Sequence, residues 1–189
     1  MARWEPDARG RLAQAALALY GERGFENTTV AEIAERAGLT ERTFFRHFAD
    51  KREVLFAGGR ALQELIASAV ANAPASLAPI DAAAAGLEAA GAQFFVHERR
   101  GTSRQRQLVI DANPELQERE LTKLASLSAA IADALRGRGL RDPAAAFTAE
   151  VATAVFRTAF ERWTDETNQH DFQHLVRESL DQLRALTAA

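Results

Sequence analysis

The 189-residue sequence predicts an all-α protein of about nine helices, in which a three-helix N-terminal headpiece precedes a larger helical body. Three observations lead to this prediction. Residues of high helix propensity (Ala, Leu, Glu and Arg) dominate the composition, whereas runs of Val, Ile and Tyr are scarce. Apolar residues recur at the three- and four-residue spacing of a helix face. Capping residues or prolines stand where several of these segments begin, and glycines stand where several end.

The first helix is predicted from Asp7 to about Arg23. Leu12 and Leu19 lie two turns apart and give this segment one apolar face. Gly24 follows directly and is expected to end the helix, because glycine readily adopts the left-handed conformation found just after a helix.

Two short helices joined by a tight turn are predicted next. Thr29, with Glu32 three residues later, has the spacing of a capping box, so a helix is expected to begin near Val30. Gly38 is expected to end it in the left-handed conformation, and Thr40 then caps another helix. A connection of about three residues forces the two helices to cross steeply, which is the geometry of a helix-turn-helix.

The second short helix separates its side chains by chemistry. Phe44 and Phe48 are four residues apart and are expected to anchor the helix in a core. Arg42, Phe45 and Arg46 fall on another face, where arginines suit the base edges and phosphates of a DNA major groove. An ordinary amphipathic helix with a solvated basic face is the alternative explanation of the same pattern.

Six further helices are predicted in the body. Asp81 is expected to cap one of them, and Gly101 and Thr102 are expected to break that helix. Proline is expected to open two others, at Pro114 and Pro143. The predicted segments run from about 50 to 74, 81 to 99, 104 to 112, 114 to 137, 142 to 165, and onward from 170.

A glycine pair interrupts the first of these body segments. Gly58 and Gly59 each disfavour a helix by about 1 kcal/mol relative to alanine. Either they mark a soft point between headpiece and body, or they allow close packing.

The charge is unevenly distributed. The chain carries a net charge of −3, but residues 1–60 sum to +1 and residues 61–189 to −4. Five cations and two acids lie between residues 36 and 52. A local basic patch on an acidic body is compatible with site-specific DNA binding and incompatible with coating DNA by bulk charge.

The composition also indicates the compartment. The chain has no cysteine, which excludes disulfides and thiolate metal sites and fits a reducing cytoplasm. No uninterrupted apolar run approaches the roughly 18 residues of a membrane span, so no membrane partner is expected. Residues 1–7 lack the charged and then apolar pattern of a signal peptide.

A set of residues at fixed spacing runs through the headpiece: Thr28-Thr29-Val30-x-x-Ile33-Ala34-x-x-Ala37-Gly38-Leu39-Thr40-x-x-Thr43-Phe44-Phe45-x-His47-Phe48-x-x-Lys51-x-x-Val54-Leu55. This pattern closely resembles the DNA-binding signature of the tetracycline-repressor (TetR) family of regulators. The resemblance implies a helix-turn-helix DNA-binding domain over residues 1–50 and a ligand-binding and dimerisation domain over residues 51–189. It further implies a homodimer that binds a near-palindromic double-stranded DNA operator and is released by a small-molecule effector.

The resemblance also implies which headpiece residues contact DNA. The resemblance places Arg42, Thr43 and Arg46 on the recognition helix. Arg42 is the best candidate among them for contact with a base edge. One position departs from the family, because Phe45 stands where tyrosine is most frequent; its ring is expected to pack on sugar or on a thymine methyl. The positions matched to phosphate contacts are Thr29, Thr40, His47 and Lys51.

The body residues predict a pocket and a subunit interface. Phenylalanines interspersed with a few polar groups favour a small, hydrophobic effector, and core packing is the alternative explanation. The candidate pocket residues are Gln93, Phe94, His97, Gln107, Asp111, Phe147 and Val151. The helix predicted over 142–165 is apolar around most of its circumference, which a dimer interface would explain. The candidate interface residues are Phe156, Phe160, Trp163, Phe172 and, at position 176, Val176.

Enzymatic and metal-binding functions are disfavoured. His170 and His174 are four residues apart, but no third ligand lies near them, so a metal site is not expected. No phosphate-binding glycine loop, serine elbow or di-metal carboxylate motif is present, and neither an enzyme nor a cofactor is expected. The sequence therefore predicts a ligand-responsive regulator, most simply a repressor. The main alternative is a helical binding or scaffold protein whose headpiece is vestigial. A weaker alternative is an enzyme built on a helical body.

Overall fold

The computed structural model of the chain describes residues 7–187 and is helical throughout. The first six residues, which include most of the segment considered for a signal peptide, lie outside the described residues. The described part contains nine α-helices and no strand, which confirms the all-α prediction. The helices are α1 (Ala8–Arg23), α2 (Val30–Arg36), α3 (Glu41–His47), α4 (Gly59–Asn72), α5 (Pro79–Phe94), α6 (Arg100–Asp111), α7 (Pro114–Gly137), α8 (Ala144–Thr164) and α9 (Phe172–Thr187).

The chain packs as two compact units. The headpiece unit consists of residues 7–58 together with 105–118, and the body unit consists of residues 59–104 and 119–187. The headpiece unit is therefore larger than the segment 1–50 expected from the sequence, because the end of α6 and the start of α7 belong to it. The assignment of DNA binding to 1–50 and of ligand binding to 51–189 stays a prediction.

The headpiece core is built around the residues that the sequence indicated. Leu12, Leu19, Phe25, Ile33, Phe44 and Phe48 are buried in one cluster, and Leu39 is packed against it. Val109, Ile110 and Leu116 complete the cluster from α6 and α7. These three side chains come from far along the chain, and no local pattern in the sequence indicates where they pack.

The predicted caps of the helix-turn-helix are confirmed. Thr29 and Glu32 form both halves of the capping box at the start of α2. Gly38 adopts φ 65°, the left-handed conformation that ends this helix, and the amide of Leu39 donates back to the carbonyl of Ala34 over 2.8 Å. Thr40 accepts a hydrogen bond from the amide of Thr43 and caps α3.

The body unit has a core of its own, in which aromatic rings cluster around Phe95. The Phe95 ring lies 4.4 Å from Phe172, 5.4 Å from Trp163, 5.5 Å from Phe160 and 5.7 Å from Phe156, measured between centroids. Thus α8 and α9 meet the end of α5 through aromatic contacts.

The helix predicted from residue 50 is wrong in its first part. Glu53–Phe56 forms a 3₁₀ turn, and α4 begins only at Gly59. The physical reason is that the turn directs Val54, Leu55 and Phe56 into the headpiece core. Close packing does not explain Gly58, since a Cβ built there meets no atom of the described residues within 4 Å.

The boundaries around α5 also differ from the prediction. Pro79 occupies the first turn of α5 and Ala78 is its N-cap, so Asp81 lies inside the helix and does not cap it. The helix ends at Phe94 and not near residue 99, because Phe95 turns into the aromatic cluster. Gly101 and Thr102 do not interrupt a helix, since both lie within α6.

One segment, Glu53–Asn72, is long and apolar enough to span a membrane by length and composition. These criteria alone are weak evidence, because core helices of soluble proteins meet them too. The segment is divided between the 3₁₀ turn and α4, and the α4 side chains Ile66 and Val70 are buried in the body core.

Candidate nucleic-acid interface

Helix α3 is held rigidly by its inner face. Phe44 and Phe48 are buried, and their rings lie 5.6 Å apart. The guanidinium of Arg9 on α1 lies over the Phe48 ring at 5.3 Å, and the same arginine donates to the carbonyl of Ala57 over 2.9 Å. An anchored helix of two turns can present its opposite face in a constant geometry.

That opposite face carries Arg42, Phe45 and Arg46. All three side chains are exposed, and the Phe45 side chain is 56% exposed. Within residues 7–187, neither arginine forms a hydrogen bond or an ion pair. Two unpaired guanidinium groups keep their full set of donors for phosphates and for the acceptors of guanine.

The other basic residues between 36 and 52 already have partners. Arg36 pairs with Glu22 on α1, and this hydrogen bond raises the pKa of Arg36 and lowers the pKa of Glu22. Arg52 pairs with Asp50 and Glu115. Carboxylates thus compensate the charges of Arg36 and Arg52, whereas Arg42 and Arg46 on α3 have no such partner among the described residues.

Lys51, one of the residues predicted to contact a phosphate, is hydrogen-bonded within the headpiece unit, and its contact with DNA stays a prediction. Its ammonium donates to the carbonyls of Phe25 (2.9 Å), Glu26 (3.3 Å) and Thr28 (3.1 Å), and it lies 4.4 Å from the centroid of the Phe25 ring. An ammonium has three N–H donors, and all three are engaged in this arrangement. The lysine therefore holds the connection between α1 and α2.

The Tyr20 hydroxyl supports the same turn, since it donates to the carbonyl of Lys51 over 2.6 Å. Burial, with a smaller contribution from the Asp50 carboxylate, raises the pKa of Tyr20 above its ordinary value. The hydroxyl consequently keeps its proton and remains a donor throughout the physiological pH range.

The other residues predicted to contact phosphates, Thr29, Thr40 and His47, differ in their exposure and in their hydrogen bonds. Thr29 and Thr40 are exposed, but their hydroxyls take part in the caps of α2 and α3. The Thr43 hydroxyl lies 3.1 Å from that of Thr40. His47 is half-buried, and its Nε2 is buried without a partner among the described residues, so this nitrogen does not face solvent.

The residues predicted to line a ligand pocket do not come together in one unit. Gln107 donates to Asp111 over 2.8 Å, and both belong to the headpiece unit, because α6 is divided between the two units. Phe147 is 66% exposed on α8. Within the body unit, Phe94 and Val151 are half-buried, whereas Gln93 and His97 are exposed. The assignment of these seven residues to one ligand pocket stays a prediction.

The residues predicted for the dimer interface are also placed differently. Phe156, Trp163, Phe172 and Val176 are buried inside the protomer, and Phe160 is half-buried in the same aromatic cluster. The apolar circumference of α8 is thus explained by packing against α5 and α9 within one chain. The assignment of these five residues to a subunit interface stays a prediction.

His170 and His174, for which no metal site was expected, lie side by side. The rings of His170 and His174 are stacked with centroids 4.2 Å apart, and both side chains are exposed. No group of three or more His, Cys, Asp or Glu side chains in the described part of the chain could hold a metal ion.

Sequence reasoning missed the α6 residues that bind the headpiece. The Gln105 side chain donates to the carbonyl of Leu17 over 3.2 Å, and Arg106 donates to the carbonyl of Leu55. The Arg106 guanidinium also lies 5.0 Å from the Phe56 ring. Backbone carbonyls are not specified by residue type, so no sequence signal marks these pairs.

A capped helix-turn-helix that exposes arginines on its second helix has the architecture of a DNA-binding protein. Comparison with known proteins agrees with this class. Residues 12–57 match the bacterial regulatory proteins of the tetR family, and residues 77–188 match the MftR C-terminal domain. The chain belongs to the tetR family of bacterial transcriptional regulators, which are not enzymes.

Individual relatives show how far the similarity extends. The regulator TcmR of Streptomyces glaucescens is 42% identical over 74 residues, which are 39% of this chain and 33% of TcmR. The match thus spans about a third of that relative's length.

Solved structures share the fold over nearly the whole chain. A putative transcriptional regulator from Pseudomonas aeruginosa PAO1 superposes with a TM-score of 0.68 at 19% identity, covering 100% of this chain and 94% of the other. The SmeT–triclosan complex superposes with a TM-score of 0.67 at 21% identity, covering 95% and 90%. SmeT is the repressor of the Stenotrophomonas maltophilia multidrug efflux pump SmeDEF. At these identities the likeness shows the fold alone.

Proposed function

We propose that this protein is a cytoplasmic transcriptional repressor that binds a near-palindromic operator as a homodimer and is released by a small hydrophobic effector. The observation that carries the proposal is the outer face of α3. Arg42 and Arg46 are exposed and unpaired within the described residues, while Arg36, Lys51 and Arg52 are engaged. This selective availability is what a base-reading helix needs.

A homodimer fits the size of this face. One helix of seven residues reads only a few base pairs, and a two-fold dimer doubles the contacts on a palindromic site. Phe147 on α8, which the sequence assigned to a pocket, is the most exposed aromatic side chain in the body unit. This exposure supports a revised interface on the outer face of α8, in which Phe147 would pack against a second copy.

A hydrophobic effector is supported by the nature of the body core. Five aromatic rings lie together where α5, α8 and α9 meet. The similar fold of SmeT is known in a complex with triclosan, a ligand of that protein. An apolar molecule that inserts beside these rings would displace the helices that carry them.

Helix α6 is shared by the two units, since residues 100–104 belong to the body unit and residues 105–111 to the headpiece unit. At its first residue, Arg100 donates to the carbonyls of Asp165 and Asn168, in the connection between α8 and α9. The later residues Gln105 and Arg106 are hydrogen-bonded to carbonyls of the headpiece unit. We propose that effector binding in the body unit lowers operator affinity by favouring a state of the protein that fits the two half-sites less well.

The decisive test is DNA binding by purified protein. DNA enriched from a random pool, and the promoter upstream of the gene, would be titrated by fluorescence anisotropy at several salt concentrations. We expect tight binding with a steep salt slope. Arg42→Ala should weaken specific binding by about 1–3 kcal/mol.

Arg36→Ala is the matched control, because this arginine is similarly exposed but is paired with Glu22; it should bind like the wild type. Equal binding by wild type and Arg42→Ala would refute the role given to Arg42. Failure to enrich any DNA would favour a helical binding protein with a vestigial headpiece.

A further inference from the structure

We propose that Phe45 reads a thymine C5-methyl group in each operator half-site and thereby sets a sequence requirement. The inference rests on the proposed function, since it assigns a specific target to one residue of the α3 face. In this proposal Phe45 contacts an apolar group of the DNA, whereas the neighbouring arginines contact polar groups.

The first step is the position of the ring. Phe45 is 56% exposed, although the preceding Phe44 is fully buried. The two rings are in edge contact, with centroids 5.5 Å apart and an interplanar angle of 82°. This contact restricts the Phe45 side chain while leaving much of its surface uncovered. The ring is thus an exposed apolar surface of defined orientation.

The second step is the setting of that ring. Arg42 lies three residues before Phe45 and Arg46 lies one residue after it, so the three side chains share one face of α3. Both arginines lack a partner in the described part of the chain. A phenyl ring beside two available cations is complementary to a polyanion that also offers an apolar group, and duplex DNA has both properties.

The third step is the choice of target. Phenylalanine has no hydroxyl, so Phe45 cannot hydrogen-bond to a phosphate or to the polar edge of a base. The thymine methyl is the apolar group that base edges present in the major groove, and phenylalanine is suited to contact it. Burying the methyl against the ring removes apolar surface of both molecules from water.

The test removes the methyl and leaves the base pair intact. In the enriched operator, each thymine is replaced in turn by uracil, at equivalent positions of both half-sites, and binding is measured by fluorescence anisotropy. For the wild type we expect one position at which uracil weakens binding by about fourfold per half-site, the factor for one buried methyl-sized group. Uracil elsewhere should have little effect.

Two variants assign this effect to the ring. Phe45→Ala should bind the thymine and uracil duplexes equally at the sensitive position. Phe45→Tyr keeps the ring and should keep the sensitivity. Because the side chain is exposed, both variants are expected to unfold at the wild-type temperature, which circular dichroism would verify.

The outcomes separate the two proposals. If wild type and Phe45→Ala respond identically to uracil at every position, the thymine contact is refuted while the DNA-binding function stands. A uniform weakening of all duplexes by Phe45→Ala, with no uracil effect, would place the ring on the sugar backbone and also refute the inference. If no DNA is enriched, both proposals are refuted.

Discussion

The headpiece unit and the body unit are stabilised by different kinds of contact. Hydrogen-bonded caps and turns define the headpiece around its core: the capping box of Thr29 and Glu32, the left-handed Gly38 and the three carbonyls bound by Lys51. The body depends on aromatic and close helix packing, centred on Phe95 and on the approach of α4 to α5 at Gly86.

This difference shows why one region carries a recognisable motif and the other does not. A cap needs a particular residue type at a particular spacing, so it leaves a signature in the sequence. Aromatic packing needs volume and apolar character, which several combinations of side chains satisfy. The headpiece consequently resembles a family closely, whereas the body agrees mainly in its helices.

The largest expected effect is the loss of the central ring of the body. Phe95→Ala should lower the free energy of unfolding by about 3–5 kcal/mol, because Phe95 contacts four other rings and its removal leaves a cavity. Urea denaturation followed by tryptophan fluorescence would measure it. Phe94→Ala, at the half-buried neighbouring position, is the control and should be milder. Equal effects would show that Phe95 has no special place in the body core.

A smaller effect is expected in the headpiece from the loss of the Lys51 hydrogen bonds. Lys51→Met removes the donor to three carbonyls and should lower the free energy of unfolding by about 1.5–3 kcal/mol. The control is Lys123→Met, which changes the other lysine of the chain at an exposed site on α7.

DNA binding distinguishes this role of Lys51 from a phosphate contact. Under conditions where Lys51→Met remains folded, its salt slope for DNA binding should equal that of the wild type. A slope smaller by about one would instead indicate a lost phosphate contact and would contradict the structural role.

Two glycines differ in the space that surrounds them, so alanine should have opposite effects on stability at the two sites. Gly58→Ala should raise the free energy of unfolding by about 0.4–1 kcal/mol, since its φ is not left-handed and a Cβ there meets no described atom within 4 Å. Gly86→Ala is the contrasting variant, because its Cβ would lie 2.7 Å from Val70 Cγ2 and 2.9 Å from the carbonyl oxygen of Ile66; it should destabilise. Thermal unfolding would compare them. Destabilisation by Gly58→Ala would contradict this explanation.

The smallest expected effect is the pH dependence of the capping box. The hydrogen bond from the Thr29 backbone amide, followed by that from its hydroxyl, lowers the pKa of Glu32 below its ordinary value of 4.5. A lowered folded pKa means that this stabilisation is present above pH 4.5 and is lost as the pH falls through the folded pKa.

Glu32→Gln removes the charge of Glu32 from the capping box and from its ion pair with Arg23, while glutamine can keep the capping box and does not titrate. The wild type should exceed the variant in stability at pH 6, and the difference should shrink as the pH falls below 4.5. Thermal unfolding as a function of pH would measure it, and a constant difference would show that the Glu32 charge does not contribute.

Much of the fold could be predicted because its signals are local. The ends of α1, α2, α3 and α7 follow from caps, glycines and Pro114, which act within one turn of the helix. The break after α5 was missed, since Phe95 leaves the helix for ring contacts formed by residues about 60 to 80 positions later in the chain.

The candidate site shows the same division. Residue type and spacing placed Arg42, Phe45 and Arg46 on one face of α3, and the structure exposes all three. Residue type also suggested a phosphate contact for Lys51, which the structure engages with backbone carbonyls. The sequence specifies the charge of a side chain, but it does not specify the group to which that side chain binds.

The sequence by itself determined the all-α class, the helix-turn-helix with its caps, and the family to which the chain belongs. Only the tertiary structure decided which cations are available, which aromatic residues are buried within the protomer, and that residues 105–118 pack with the headpiece. The physical reason is range. Caps and turns act over three or four residues, whereas burial and ion pairing join side chains that only the folded chain brings together.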